Sequence, residues 1–120
     1  MLKRIGSLPA HVVALEAEGT VSAEDYETVL IPAVEEALKE HGKVSFLMVL
    51  GDAFETYEAG ALWDDTVFGF KHLTDFKKVG VVTDRNWIAE TMRLLSPLIP
   101  AETLAFPLKK REQALKWIAN

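Results

Sequence analysis

The chain has 120 residues, of which 49% are hydrophobic and 26% charged, and its formal net charge is −5. This length and composition predict a single globular domain, residues 1–120, whose core needs no disulfide or metal. An acidic surface repels phosphate backbones and anionic headgroups, which disfavours nucleic acid and membrane surfaces as partners. Cysteine is absent, and this excludes disulfides, thiolate nucleophiles, Cys-based zinc sites and iron–sulfur clusters.

The apolar stretches are short. The run FLMVL at 46–50 is far below the roughly 20 residues of a membrane-spanning helix. The N-terminal MLKRIGSLPA has two basic residues but no long apolar segment behind them, so it does not resemble a signal peptide. A cytoplasmic location without an integral membrane segment is the prediction.

The first elements in the chain form a predicted hairpin and a helix. Strands at 2–5 and 11–18 are joined by GSLPAH, where Gly and Pro favour a turn. Ser22 has the character of an N-cap, with Asp25 three residues later as a capping-box partner. A helical stripe follows from Tyr26, and Gly42 ends it. Pro32 predicts a kink near Val29 within one helix, because proline removes a backbone hydrogen bond.

Three nearly all-apolar runs then alternate with helical patterns. VSFLMVLGD, KVGVVTD and TLAFPL are typical of strands covered on both faces, as in parallel sheets. Helices are predicted at about 58–74, 86–98 and 110–119. The order β-β-α-β-α-β-α-β-α predicts an α/β fold with one mixed, mostly parallel sheet of four to five strands, flanked by helices, with the first strand as an antiparallel edge.

Several catalytic signatures are missing from the sequence. It has no G-x-x-x-x-G-K-[ST], no G-x-G-x-x-G and no G-x-S-x-G, which removes the usual phosphate loop, dinucleotide site and serine elbow. The three histidines do not pair at helical ligand spacing. We therefore predict no enzyme activity, no catalytic residues, no cofactor and no metal site.

Acidic residues stand at two predicted strand ends. Asp52 and Asp84 each follow an apolar run, and ligands of open α/β sheets bind at the carboxyl ends of strands. Aspartate is also favoured there as a turn former or helix cap, and this structural interpretation is the preferred one. Trp87 begins the next helix and is interpreted as a core anchor, since Trp is usually buried over most of its area. The candidate strand-end ligand or loop site contains Asp52, Phe54, Thr56, Tyr57, Asp84 and Trp87.

The segment LWDDTVFGFKHL at 62–73 combines aromatics, acids and a histidine. At about 100° per residue, one arc faces the sheet and the opposite arc is polar. The predicted inner arc contains Leu62, Trp63, Thr66, Val67, Phe70, Leu73 and Thr74. The predicted outer arc contains Asp64, Asp65, Lys71 and His72. The two aspartates diverge by about 100° and suit the positive end of the helix dipole, so acid–base catalysis is disfavoured.

Phe68 falls in the middle of the predicted polar arc. An isolated exposed apolar residue needs no function, and coverage by a neighbouring loop is the alternative. An aromatic ringed by charge also resembles a contact point with a polar rim. Phe68 with Asp64, Asp65 and His72 is therefore the candidate surface for a protein partner or for self-association.

The segments DYETVLIPAVEEAL and LWDDTVFGFKHLTDFKKVGVVTD, with the late ALKWI, resemble the SpoIIAA-like (STAS-like) family of small bacterial proteins over about residues 2–119. This resemblance implies a fold shared with STAS anti-sigma-factor antagonists and with CRAL-TRIO lipid-carrier domains. STAS antagonists carry a phosphorylatable serine after the third strand. Here Ala53 follows Asp52, and Thr56 is the nearest hydroxyl suited to phosphorylation.

Two functions compete at this point. The first is a non-catalytic protein-interaction or regulatory module of STAS-like type, acting through the strand-end loops and the following helix. The alternative is a carrier or sensor of a small apolar ligand or lipid, by analogy with CRAL-TRIO domains, which predicts a pocket on the order of several hundred Å³.

Overall fold

A computed structural model describes the backbone of residues 1–120 and all side chains except those of Thr66 and Phe70, whose predicted inward orientation therefore lies outside the described residues. The strands are β1 Leu2–Arg4, β2 Val12–Val21, β3 Val44–Tyr57, β4 Phe76–Thr83 and β5 Glu102–Phe106. The helices are α1 Ala23–Asp25, a π-helical turn Tyr26–Leu30, α2 Ile31–His41, α3 Ala59–Lys71, α4 Asn86–Leu95 and α5 Arg111–Ala119, with 3-10 turns at Ser96–Leu98 and Leu108–Lys110.

The five strands form one mixed sheet in the order β1-β2-β3-β4-β5. β1 pairs with β2 antiparallel, and every later pair is parallel. The predicted element order, the antiparallel first strand and the mostly parallel sheet are confirmed. Each crossover connects neighbouring strands, so the sheet grows in a single direction along the chain.

The strands β2 and β3 run further than predicted. β2 continues to Val21 and β3 to Tyr57 because Gly19, Thr20 and Val21 pair with Phe54, Thr56 and Tyr57 beyond an irregular register. Gly19 lies at a φ of 62°, a left-handed conformation that favours glycine. The predicted strand-end residues from Asp52 to Tyr57 therefore lie within an extended strand and not in a loop.

The first helical segment begins as predicted and then departs from regular α-helix. The Ser22 side chain accepts a hydrogen bond from the Asp25 backbone N–H, and Asp25 accepts one from Ser22 N–H, which completes the capping box. Where a kink was predicted near Val29, the chain makes a π-helical turn. Pro32 follows directly in the first turn of α2, so the π-helical turn lies where the proline cannot donate a backbone hydrogen bond to the preceding turn.

The two faces of the sheet are covered unequally. On one face, α1, the π-helical turn, α2 and parts of α3 and α4 pack on β2, β3 and β4, around Tyr26, Leu30, Val34 and Phe54. On the other face α5 packs alone, with Ala114 and Ile118 set against Val12, Leu47, Val49 and Val82. Three crossover helices thus share one layer, and the C-terminal helix supplies most of the other.

Candidate functional site: helix α3 and the strand ends

Helix α3 is turned so that its apolar side faces solvent. Leu62, Trp63 and Val67 expose 47, 69 and 48% of their surfaces, while Ala61 and Phe68 are buried. Leu73 and Thr74, also assigned to the inner arc, lie beyond the helix; Leu73 is half-buried and Thr74 is exposed. The predicted inward orientation of Leu62, Trp63 and Val67 is wrong.

The predicted exposure of Phe68 is wrong as well. Its ring belongs to the main core cluster and lies 4.6 Å, centroid to centroid, from the ring of His72. The helical wheel assigned the face with more apolar residues to the interior, but here the interior face contains an alanine, a phenylalanine and polar residues with partners on other elements. A buried Phe68 cannot be the contact point of a partner.

The polar partners of α3 are two tyrosines. The Tyr26 hydroxyl donates a 3.0 Å hydrogen bond to Asp65 Oδ1, and the Tyr57 hydroxyl interacts with that of Tyr26. The two tyrosine rings meet edge to face, 6.4 Å apart. The cluster joins the π-helical turn, the end of β3 and the middle of α3, three elements that are distant in sequence.

Burial governs the electrostatics of this cluster. It raises the pKa of Tyr26 and Tyr57 well above the ordinary tyrosine value, with the nearby Asp65 carboxylate adding to the rise. Burial of the carboxyl group also raises the pKa of Asp65, and the hydrogen bond from Tyr26 opposes this. The residue as a whole retains exposed surface, so solvent moderates the effect. Both tyrosines remain protonated donors near neutral pH.

Asp64 and His72, the other predicted contact residues, are half-buried. Asp64 Oδ2 and His72 Nε2 are buried without a hydrogen-bond partner among the described side chains. His72 Nδ1 lies 2.8 Å from Asp75 Oδ2, and its Nε2 lies 4.0 Å from Glu35 Oε2. These residues connect α3 to its surroundings and do not form a projecting contact surface.

Asp52, within β3, and Asp84, directly after β4, lie at the same edge of the sheet. Both line a cavity of about 180 Å³ with Leu50, Gly51, Arg85 and Leu108. Asp84 Oδ1 accepts a 2.9 Å hydrogen bond from the Leu108 backbone N–H, so it caps the 3-10 turn that leads into α5. Asp52 is exposed on β3. Asp84 does not cap α4, whose N-cap is Arg85, and both the structural and the ligand interpretations of the two aspartates stay predictions.

Arg85 holds the extension of β3. Its guanidinium donates to the backbone carbonyls of Phe54 and Glu55, at 2.7 and 2.9 Å, and lies 5.0 Å above the Phe54 ring. Phe54 itself is buried in the core. Thr56 is exposed, so its hydroxyl is accessible, and its phosphorylation stays a prediction.

The predicted burial of Trp87 is wrong. Trp87 exposes 54% of its surface at the start of α4, and Leu94 and Leu98 follow it at 78 and 72%. Helix α4 rests on the sheet through its smaller residue Ala89, with Ile88 and Met92 packed against the core cluster. The large tryptophan therefore lies on the solvent side of the helix.

The described side chains offer little for metal or cofactor chemistry. Among them, no group of three or more His, Cys, Asp or Glu residues is arranged to hold a metal ion. A second, open cleft of about 340 Å³ is lined by Glu35, Leu38, Lys39, Gly42, His72 and Asp75, a mixed charged set. None of the helices in the described structure has the length and apolar character needed to cross a membrane.

Tyr26 and Arg85 were missed as site residues. Tyr26 was interpreted only as the first residue of a helical stripe, and Arg85 had no signal beyond its place after Asp84. One sequence pattern indicates the hydrogen bond between Tyr26 and Asp65. A tyrosine lies on the inner stripe of one helix, and an aspartate lies 39 residues later on a poorly amphipathic helix.

Comparison with known proteins defines the class. The profile of the SpoIIAA-like family matches residues 12–119, and the chain belongs to that family. Its fold is similar to the crystal structure of an uncharacterised protein of the DUF3478 family from Shewanella loihica PV-4, with a SpoIIAA-like fold, at a TM-score of 0.76 and 25% identity over 98% of this chain and 92% of that one. No curated protein matches the chain significantly.

Proposed function

We propose that the protein is a non-catalytic interaction module that binds a protein partner through the outer face of α3, formed by Leu62, Trp63 and Val67. The observation that supports this most is the orientation of the helix. Leu62, Trp63 and Val67 are exposed, while Asp64 Oδ2 on the same helix is buried without a hydrogen-bond partner among the described side chains. A partner that covers the outer face removes this apolar surface from water.

The residue types of this face suit an interface. Tryptophan is enriched in the energetic centres of protein interfaces, where it fills a pocket on the partner. Trp63 is the most exposed of the three and would be that anchor. Glu58 and Lys71, at the two ends of α3, are exposed and carry charges of opposite sign, and Lys71 lies 3.8 Å from Glu35 of α2.

The alternative function, a carrier of a small apolar ligand, has less support. The cavities of about 340 and 180 Å³ are lined largely by charged residues and glycine, whereas apolar ligands bind in pockets lined mainly by hydrophobic side chains. The lack of catalytic activity and the cytoplasmic location also remain part of the proposal.

The test is a comparison of the wild-type protein with Trp63→Glu. Each is purified by affinity from cells that express it natively, and the proteins lost with the variant are identified by mass spectrometry. A candidate partner is then purified and titrated calorimetrically. We expect Trp63→Glu to weaken its binding at least tenfold, because a buried interface tryptophan contributes about 2 kcal/mol or more.

The matched control is Glu36→Gln on the exposed side of α2, which should bind as the wild type does. Circular dichroism and thermal melting must show both variants folded. A partner that binds Trp63→Glu and the wild type with equal affinity would contradict the proposed surface.

A further inference from the structure

Helix α4 has two apolar stripes, and only one of them is covered. The inner stripe, with Ile88, Ala89 and Met92, rests on the core. The outer stripe follows the spacing i, i+4, i+7 and i+11 through Trp87, Thr91, Leu94 and Leu98, all of them exposed. This is the spacing with which a helix packs along another helix. The 3-10 turn at Ser96–Leu98 extends the stripe beyond the end of α4.

The amount of apolar surface on this side fits a dimer of ordinary size. Trp87, Leu94, Leu95 and Leu98 are 54, 78, 44 and 72% exposed. With large side chains of about 150–250 Å² each, they present on the order of 450 Å² of apolar surface. A standard interface removes about 800 Å² from each partner, of which about 65% is apolar in homodimers. The stripe, together with Leu95 beside it, supplies most of that apolar part.

The stripe is also complementary to itself. When two α4 helices pack antiparallel about a two-fold axis between residues 92 and 93, Trp87 meets Leu98 of the second copy, and Thr91 meets Leu94. Trp87 thus faces an apolar leucine, and the smaller Thr91 leaves room for Leu94. Glu90 and Arg93 lie beside the stripe and form an ion pair within one helix. Neither charge would therefore be left unpaired in the dimer.

We propose that the protein forms a two-fold symmetric dimer in which the outer stripes of α4 from two copies pack antiparallel. The interface is isologous, because the same stripe serves both copies. This dimer interface lies on a different helix from the proposed partner-binding face of α3. The two proposals can therefore be tested independently.

The first test is the oligomeric state of the purified full chain by sedimentation equilibrium. We expect wild-type protein to sediment as a dimer at tens of micromolar, and Leu94→Asp/Leu98→Asp to dissociate at least 100-fold more readily, because two carboxylates would enter an apolar seam. Trp63→Asp on α3 is the matched control and should remain dimeric. All variants are checked for unchanged thermal unfolding at low concentration.

A second test uses the absence of cysteine. Thr91→Cys and Leu94→Cys are prepared separately, mixed in equal amounts and mildly oxidised. The mixture should form covalent dimers faster than either variant alone, and far faster than Lys39→Cys on the exposed surface of α2. Wild-type protein that stays monomeric at millimolar concentration, a Leu94→Asp/Leu98→Asp variant that stays dimeric, or cross-linking no faster in the mixture would each overturn the proposed dimer.

Discussion

At the scale of single residues, two opposing effects act on the pKa of Asp65: burial raises it and a hydrogen bond lowers it. Its carboxyl group accepts a hydrogen bond from Tyr26, yet burial raises its pKa above the ordinary value of 3.8. A raised pKa in the folded state means that the neutral form is the better fit for the site. The stabilising contribution is therefore complete below the unfolded pKa and is lost as the pH rises through the raised folded pKa.

Replacing Asp65 by Asn tests whether ionisation of Asp65 lowers the stability of the folded protein. The amide oxygen still accepts the Tyr26 hydrogen bond, and the charge is gone. We expect Asp65→Asn to raise the melting temperature at pH 7 by about 1–3 °C, a modest gain because the residue is partly exposed and solvent screens its charge. The difference from wild type should shrink as the pH falls towards 4, measured by thermal unfolding at both pH values.

Glu36→Gln removes one negative charge from an exposed position and controls for the change in net charge. An Asp65→Asn protein that melts below the wild type at pH 7, by a margin that shrinks towards pH 4, would show that the carboxylate stabilises the fold, contrary to the direction of the pKa shift.

Single residues were also where prediction from sequence failed. The helical wheel assigned Asp65 to a solvent face because it considers only residues of one helix. The hydrogen-bond donor to Asp65, Tyr26, lies 39 residues earlier in the chain. Trp87 was placed in the core from the usual burial of tryptophan, but α4 rests on the sheet through Ala89. Long-range polar pairing and the choice between two apolar stripes are not encoded in local periodicity.

At the scale of elements, α3 has an unusual orientation. Its inner stripe consists of Ala61, Asp65, Phe68 and His72 at the spacing i, i+4, i+7 and i+11, and only Phe68 among them buries a large apolar side chain. Among the described side chains, the helix is therefore held mainly by the Phe68 contact and a few polar ones, while Leu62, Trp63 and Val67 are exposed.

Alanine substitutions distinguish this orientation from the predicted one. Phe68→Ala should lower the free energy of unfolding by about 3–5 kcal/mol, as expected for a buried phenylalanine. Trp63→Ala should change it by no more than about 0.5 kcal/mol, because the side chain is exposed. Urea denaturation measures both.

The opposite pattern, with Trp63→Ala strongly destabilising and Phe68→Ala neutral, would mean that the helix packs as the wheel predicted. Ala61 offers a further check, since it is fully buried. Ala61→Asp should unfold the helix in the orientation described here.

The elements themselves were predictable. Apolar runs of strand length, alternating with helical stripes and bounded by Gly42 and the Ser22 cap, were enough for the element order and the parallel sheet. The extension of β3 to Tyr57 could not be predicted, because DAFETY has no strong strand pattern and pairs only with the end of β2. Pairing between strands decides such boundaries.

At the scale of the whole molecule, α5 attaches through a tight contact with β4. The Trp117 indole donates to Glu102 Oε1 at 2.9 Å, and Lys78 Nζ donates to the Trp117 carbonyl at 2.8 Å. The ring lies over Gly80, where an added Cβ would stand 2.7 Å from Trp117 Cζ3 and 2.9 Å from Leu47 Cδ1. Only glycine leaves room for the helix to approach the sheet this closely.

Gly80→Ala should therefore destabilise the protein by about 1–3 kcal/mol through overpacking, measured by urea denaturation with tryptophan fluorescence as the signal. Gly69→Ala in α3 is the matched control. Nothing lies within 4 Å of its added Cβ, and alanine is a better helix former, so a gain of about 0.5–1 kcal/mol is expected. Equal stability of Gly80→Ala and wild type would contradict the close approach of Trp117.

The unequal covering of the sheet has a consequence during synthesis. Val12, Leu47, Val49 and Val82 leave the ribosome well before Ile118, the residue that covers them from α5. The crossover layer can assemble progressively as the chain emerges, but the opposite face stays open to water until the last helix is free. A nascent chain with such a face is prone to aggregation, and a ribosome-associated chaperone would find its binding surface there, on a side of the sheet that the finished protein conceals.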